Sequence, residues 1–157
     1  MSRRNQVSMS PEEAQEYLAG ARTMTVATIG AGGRPHLVAV WYAWLEGAPA
    51  FWTYARAQKA VNLRRDPRLT ALVEDGDSYS TLRGVELVGR GVIVEDTETV
   101  AALAERLLDR YAGPGSAGPM VGPAREAMIG SAPKRVAVRI EVEKMVSWDH
   151  RKLGGLY

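Results

Sequence analysis

With 157 residues, the chain is long enough to bury one core and too short for two ordinary domains. Its 20 Lys+Arg against 18 Asp+Glu leave a net charge of only +2, so no dominant positive field points to a nucleic-acid partner. The absence of cysteine excludes disulfides, thiolate metal sites and cysteine nucleophiles, and it fits a reducing compartment.

Met1–Ser10 carries Arg3 and Arg4 but no apolar stretch, so it lacks the pattern of a signal peptide, and residues 1–9 read as a flexible tail on a single domain spanning 1–157. The longest apolar run, Leu37–Leu45, is too short to cross a bilayer, so no membrane partner is expected and the expected location is the cytoplasm. Ser10-Pro11-Glu12-Glu13 combines an N-cap serine, a proline at the first helical position and a glutamate at the third, which predicts a helix to about Gly20. Thr23–Ile29 reads as a strand, and the glycine-rich stretch 30–35 turns it into a second strand, His36–Leu45. In that second strand Leu37, Ala39, Trp41, Ala43 and Leu45 face one way and Val38, Val40, Tyr42 and Trp44 the other, so both faces are apolar. One face can fill a barrel, and the other needs a helix, a ligand or a second subunit to cover it.

After a Glu46-Gly47-Ala48-Pro49 turn, Ala50–Tyr54 reads as a strand and about 57–65 as a short helix, which Asp66-Pro67 stops because proline disfavours helical geometry in the residue before it. Leu69–Asp75 and Gly84–Val94 are further strands, with Gly89 and Gly91 marking a bulge or a bend. Val100, Leu103, Ala104, Leu107, Leu108 and Tyr111 recur at helical spacing. Gly113–Pro123 reads as a mobile loop, and Val136, Val138, Ile140 and Val142 alternate with polar neighbours in a last strand to about Trp148. About six strands with so few helices between them exclude an all-parallel sheet and predict a mainly β (α+β) antiparallel barrel with flanking helices.

The chemistry concentrates between Phe51 and Pro67. Arg56 and Lys59 fall where a strand passes into a helix N-terminus, where free backbone N–H groups and the positive end of the helix dipole already favour an anion. The plain alternative is that Arg56, Lys59, Arg64 and Arg65 form a solvated basic face. Other motifs fall away. Gly113-Pro114-Gly115-Ser116-Ala117-Gly118 matches G-x-G-x-x-G but follows a helix and contains a proline, so it is no dinucleotide fingerprint. His36 and His150 have no neighbours at metal-ligand spacing, and His150 reads as a surface or interface residue. Trp41, Trp44, Trp52 and Trp148 read first as core, with Trp41 and Trp52 as candidate pocket walls.

The run Thr53, Lys59, Leu63 and Asp66-Pro67 resembles the phosphate-binding strand-to-helix turn of the pyridoxamine 5′-phosphate oxidase-like split barrels, which hold FMN or the deazaflavin coenzyme F420. The resemblance implies a six-stranded antiparallel split β-barrel with flanking helices. Thr53 and Lys59 fall on the family's threonine and lysine, whereas Ala57 and Gln58 stand where the FMN oxidases have serine and arginine, and Leu37 also replaces a basic residue. The segments 59–68 and 147–153 are similar instead to the deazaflavin-using actinobacterial branch. That branch implies a hydride transfer from reduced F420 to an unsaturated small-molecule acceptor, in a homodimer with its sites at the interface. Arg56 and Lys59 would hold the phosphate end, with Thr53 and Asn62 as lesser donors, and Val40 and Trp41 would line the ring. An FMN-dependent flavoprotein and a non-enzymatic F420 carrier stay open as alternatives, and no catalytic side chain is assigned.

Overall fold

A computed structural model describes residues 3–112 and 120–154; the glycine tract at 113–118 lies outside the described residues. Seven strands, not six, form one antiparallel sheet: β1 (Met24–Ile29), β2 (Pro35–Val40), β3 (Ala43–Leu45), β4 (Ala48–Tyr54), β5 (Arg68–Asp75), β6 (Arg83–Val94) and β7 (Arg135–Asp149). The extra strand comes from the apolar run 36–45, which breaks at Trp41 and Tyr42. The spatial order β2-β1-β5-β6-β7-β4-β3 puts β2 and β3 on the two outer edges, so those two residues carry the chain from one edge to the other. A sheet whose edges are consecutive in sequence must curl, and this one does so into an open barrel.

Local sequence explains the corners. Between β3 and β4 both Glu46 and Gly47 have positive φ (52° and 78°), the conformation of a two-residue hairpin turn matched to strand twist. On β6 the register against β7 shifts between Val88 and Gly89, which is the expected bulge. A side chain at Gly89 would lie 2.0 Å from the carbonyl oxygen of Glu141, so only glycine permits that approach.

Five α-helices decorate the sheet in the described residues: α1 (Arg3–Val7), α2 (Pro11–Gly20), α3 (Gln58–Arg65), α4 (Thr97–Arg110) and α5 (Pro123–Ile129). Thus the segment read as a tail holds a short helix, and α5 begins at the end of the stretch read as a loop. The α2 capping box forms as expected: the Glu13 amide donates to Ser10 Oγ at 3.2 Å, and the Ser10 amide to the Glu13 carboxylate at 2.7 Å. Inside the barrel Met24, Val26, Phe51, Val73, Val85, Leu87, Val138 and Ile140 pack together, with Leu18 of α2 and Leu63 of α3 joining them. Outside it, α4 lays Val100, Leu103, Leu107 and Tyr111 on Ala43, Leu45, Ala50 and Ala137. Ala137 is therefore buried, and the expected half-exposed alternation of β7 fails because α4 covers this stretch of its outer face. No helix of the described residues is long and apolar enough to cross a membrane.

Candidate functional site

At the end of β4, side chains alternate across the sheet, so Phe51 and Thr53 point into the barrel while Trp52 and Tyr54 point out. The chain then turns through Ala55–Ala57 into α3. Ala57, the N-cap, is extended (φ −66°, ψ 148°) and has no side chain able to cap the helix. The first i to i−4 bond comes from Val61 to Ala57, so the amides of Gln58, Lys59 and Ala60 keep free hydrogen-bonding capacity at the positive end of the dipole.

Lys59 reaches back over this turn, and its Nζ donates to Thr53 Oγ1 at 3.0 Å. That partner is neutral, and no carboxylate pairs with Lys59 among the described residues. Burial pushes the Lys59 ammonium below the ordinary lysine range, because a charge taken from water with no counter-charge is disfavoured. Arg56 is exposed and has no hydrogen-bond or ion-pair partner among the described residues. Thr53 and Lys59 are therefore brought together beside the uncapped amides, with Arg56 in the turn just before them, a donor set suited to an anion such as a phosphate.

The other basic residues of the run are spent on structure. Arg64 donates to the carbonyl of Ala55 at 2.6 Å and pairs with Glu95 at 2.8 Å. Arg65 donates to the carbonyl of Ile29, and Arg68 pairs with Asp66 at 2.6 Å. Arg64 and Arg65 are exposed, as the solvated-face alternative has it, but each is tied to a backbone carbonyl, whereas Lys59 is half-buried with only a hydroxyl as partner.

Asn62 does not join the donor set. It is fully buried, donates Nδ2 to Thr28 Oγ1 at 3.0 Å, and accepts from Gln58 Nε2 at 2.8 Å, so it fastens α3 to β1 from beneath. Val40 and Trp41 also lie apart from the turn. The α3 turn sits at the Thr28 end of β1, whereas Val40 pairs with Met24 at the other end, roughly 13 Å along β2 from His36 at 3.3 Å per residue. Val40 turns toward the barrel core, and Trp41 lies outside, stacked on Tyr111 with ring centroids 4.3 Å apart. Trp52 faces away from Thr53 and is covered by Arg135, whose guanidinium lies 4.1 Å from the Trp52 ring and 4.0 Å from that of Tyr54. His150 stays peripheral, its Nδ1 2.8 Å from the carbonyl of Tyr79.

A second charged region, which sequence spacing did not suggest, occupies the α2 end of the barrel. A cavity of about 420 Å³ is lined by Glu13, Tyr17, Asp75, Arg83, Asp149 and Arg151. Here each basic side chain has its own carboxylate: Arg83 with Asp75 at 2.7 Å, Arg151 with Asp149 at 2.5 Å, and Lys152 with Glu13 at 2.6 Å. Burial pushes the Tyr17 hydroxyl up to about 12, so it stays protonated near neutral pH, and it donates to the carbonyl of Arg83 at 3.4 Å. No group of three or more His, Asp or Glu side chains able to hold a metal occurs among the described residues.

The family model described as pyridoxamine 5′-phosphate oxidase matches residues 10–149. Among solved structures, a conserved hypothetical protein from Mycobacterium tuberculosis is 43% identical, with a TM-score of 0.86 over 100% of this chain and 95% of its own. An F420 reductase is 26% identical, with a TM-score of 0.64 over 87% of this chain and 98% of its own. The heme storage protein HutZ from Vibrio cholerae, 16% identical with a TM-score of 0.66 over 87% of this chain and 94% of its own, shares the fold alone. No curated protein matches the chain.

Proposed function

This chain belongs to the pyridoxamine 5′-phosphate oxidase family, and we propose that it is a coenzyme F420-dependent oxidoreductase that reduces an unsaturated small-molecule acceptor. The observation that carries the proposal is the half-buried Lys59, held by Thr53 with no carboxylate beside it, over the uncapped N-terminus of α3. A cation desolvated without a counter-charge fits a group that brings its own negative charge, as the phosphate of a flavin-type coenzyme does. Similarity to an F420 reductase favours the deazaflavin over other coenzymes of the fold.

Two details weigh against FMN. Ala57 offers no hydroxyl, and the Gln58 amide is committed to Asn62, so the turn has fewer phosphate donors than the FMN pattern supplies. The coenzyme, when bound, supplies the hydride chemistry. Lys59 and Arg56 bind its phosphate end, Thr53 orients the Lys59 ammonium, and Asn62 holds α3 in place rather than touching the ligand. Trp41 offers an apolar surface, and Val40 supports it from the core side. Leu37 on the outer face of β2 (62% exposed) and Trp41 just past its end (53% exposed) leave an apolar strip, which we assign to a second copy in a homodimer that completes the site.

Titration of the purified protein with F420 and with FMN tests the coenzyme assignment: F420 is expected to bind at least about tenfold more tightly, a gap of roughly 1.4 kcal/mol. Equal or tighter FMN binding overturns it. Light scattering at micromolar concentration is expected to give a dimer mass, and a monomer mass removes the interface.

A further inference from the structure

Building on that reading of the α3 turn, we infer that Arg64 and Glu95 are its positioning residues: they set the shape of the anion-binding turn without touching the anion. The turn has little to hold it in place, since Ala55 and Ala57 carry no polar side-chain group and the helix lacks a side-chain cap. Besides the helix's own bond from Val61 to Ala57, three hydrogen bonds fix it. Two are backbone contacts that depend on no particular side chain, Ala55 N to the carbonyl of Lys134 at 3.0 Å and Ala57 N to the carbonyl of Tyr54 at 2.9 Å. The third comes from Arg64, in the last turn of α3, whose guanidinium reaches the Ala55 carbonyl at 2.6 Å.

The same guanidinium donates its other terminal nitrogen to Glu95 at 2.8 Å. Glu95 immediately precedes Asp96, the N-cap of α4, so one side chain ties the turn to the corner between β6 and α4. Arginine can do this because its planar fork donates in two fixed directions at once; a lysine ammonium is a single point of charge on a flexible stem. Arg64 follows Lys59 by five residues, about 140° round the helix, so it faces away from the anion side and its charge is matched by Glu95.

This arrangement makes the sign of two substitutions diagnostic. Glu95→Ala removes a negative charge near the turn, and through-space electrostatics alone would strengthen binding of an anion. Positioning instead requires binding to weaken, because Arg64 loses the partner that aims it at Ala55. Arg64→Lys keeps the charge and loses the fork, so electrostatics alone leaves binding unchanged whereas positioning weakens it.

The experiment is an F420 titration of the full chain, wild type against Glu95→Ala and Arg64→Lys, alongside amide hydrogen exchange at residues 57–60 without coenzyme. Expected is a roughly two- to tenfold loss of F420 affinity in each variant at a nearly unchanged melting temperature, the size of one lost hydrogen bond. Faster exchange at residues 57–60 should accompany it. Unchanged or tighter F420 binding, or unchanged exchange at these amides, overturns the inference. If the wild type binds no F420, the coenzyme proposal fails, and the exchange measurement still decides whether Arg64 and Glu95 hold the turn.

Discussion

The two ends of the β5–β6 hairpin each carry a cluster of cations, and the clusters differ in what neutralises them. At the α2 end, Arg83, Arg151 and Lys152 each meet a carboxylate within 2.7 Å, so a 420 Å³ cavity with a charged lining has no uncommitted cation among these three. At the α3 end Lys59 meets only a hydroxyl and Arg56 meets nothing among the described residues. Under the proposed assignment of the anion to the α3 turn, the number of basic residues does not by itself mark the site. The mark is a cation kept partly out of water with its charge unmatched, because a cation already paired must break its own ion pair before it can bind another anion.

Reversing the charge at the unmatched end should break the comparison most severely. Lys59→Glu removes the cation and places a carboxylate at the turn, and F420 affinity is expected to fall by at least about a hundredfold, more than the loss of one charge-assisted contact. The melting temperature without F420 should hardly change, since Lys59 lacks an ion pair to lose. Titration and thermal melts of the same variant check both halves, and a variant that binds normally refutes the role given to Lys59.

The paired end should answer in stability and not in binding. Asp149 is buried and accepts from the Arg151 amide at 3.1 Å and from its guanidinium, so Asp149→Ala is expected to cost about 1.5–3 kcal/mol. That corresponds to a fall of roughly 3–10 °C in melting temperature, with F420 affinity unchanged. A matching loss of F420 affinity would show that the two ends are coupled and that their separation here is wrong.

Acid should sharpen the contrast with the smallest effect. Hydrogen bonds from Arg151 hold the Asp149 carboxyl below its ordinary value of 3.8, and Lys152 holds Glu13 below 4.5. A carboxylate with a depressed folded-state value binds fewer protons folded than unfolded, so its stabilisation is present above the ordinary value and is lost as pH falls through the depressed one. Melting temperature should therefore begin to fall below about pH 4.5, and Asp149→Ala should flatten that fall. Lys59 stays protonated throughout this window and contributes nothing to it. An acid profile identical in wild type and variant would contradict the assignment to Asp149.

Much of this was legible in the sequence because the signals are local. The Ser10–Glu13 capping box, the 3.6-residue spacing from Val100 to Tyr111 and the glycine at the β6 bulge each depend on a few neighbouring residues. The family resemblance names Thr53 and Lys59 for the same turn, and the two side chains meet there because a strand end and the first turn of the next helix lie side by side. The failures involve information that no local window holds. An unbroken apolar run from Leu37 to Leu45 does not reveal that Trp41 and Tyr42 cross from one sheet edge to the other, since both flanking strands are apolar for different reasons. The resemblance implies Asn62 as a lesser donor, but which way it points depends on the rotation of α3 against β1, where Asn62 bonds Thr28, 34 residues away. The ion pairs around Asp149 join α2, β5, β6 and the chain after β7, and no spacing rule connects them.

The most direct measurement is an NMR titration of the isotope-labelled chain with F420, read at backbone amides of both ends. The expected result is saturable shifts at Gln58, Lys59 and Ala60, together with the Thr53 and Arg56 amides, while Asp75, Arg83, Asp149 and Arg151 stay in place. Shifts confined to the 420 Å³ cavity at the α2 end, with residues 58–60 unmoved, would contradict the claim that the unmatched cation marks the site.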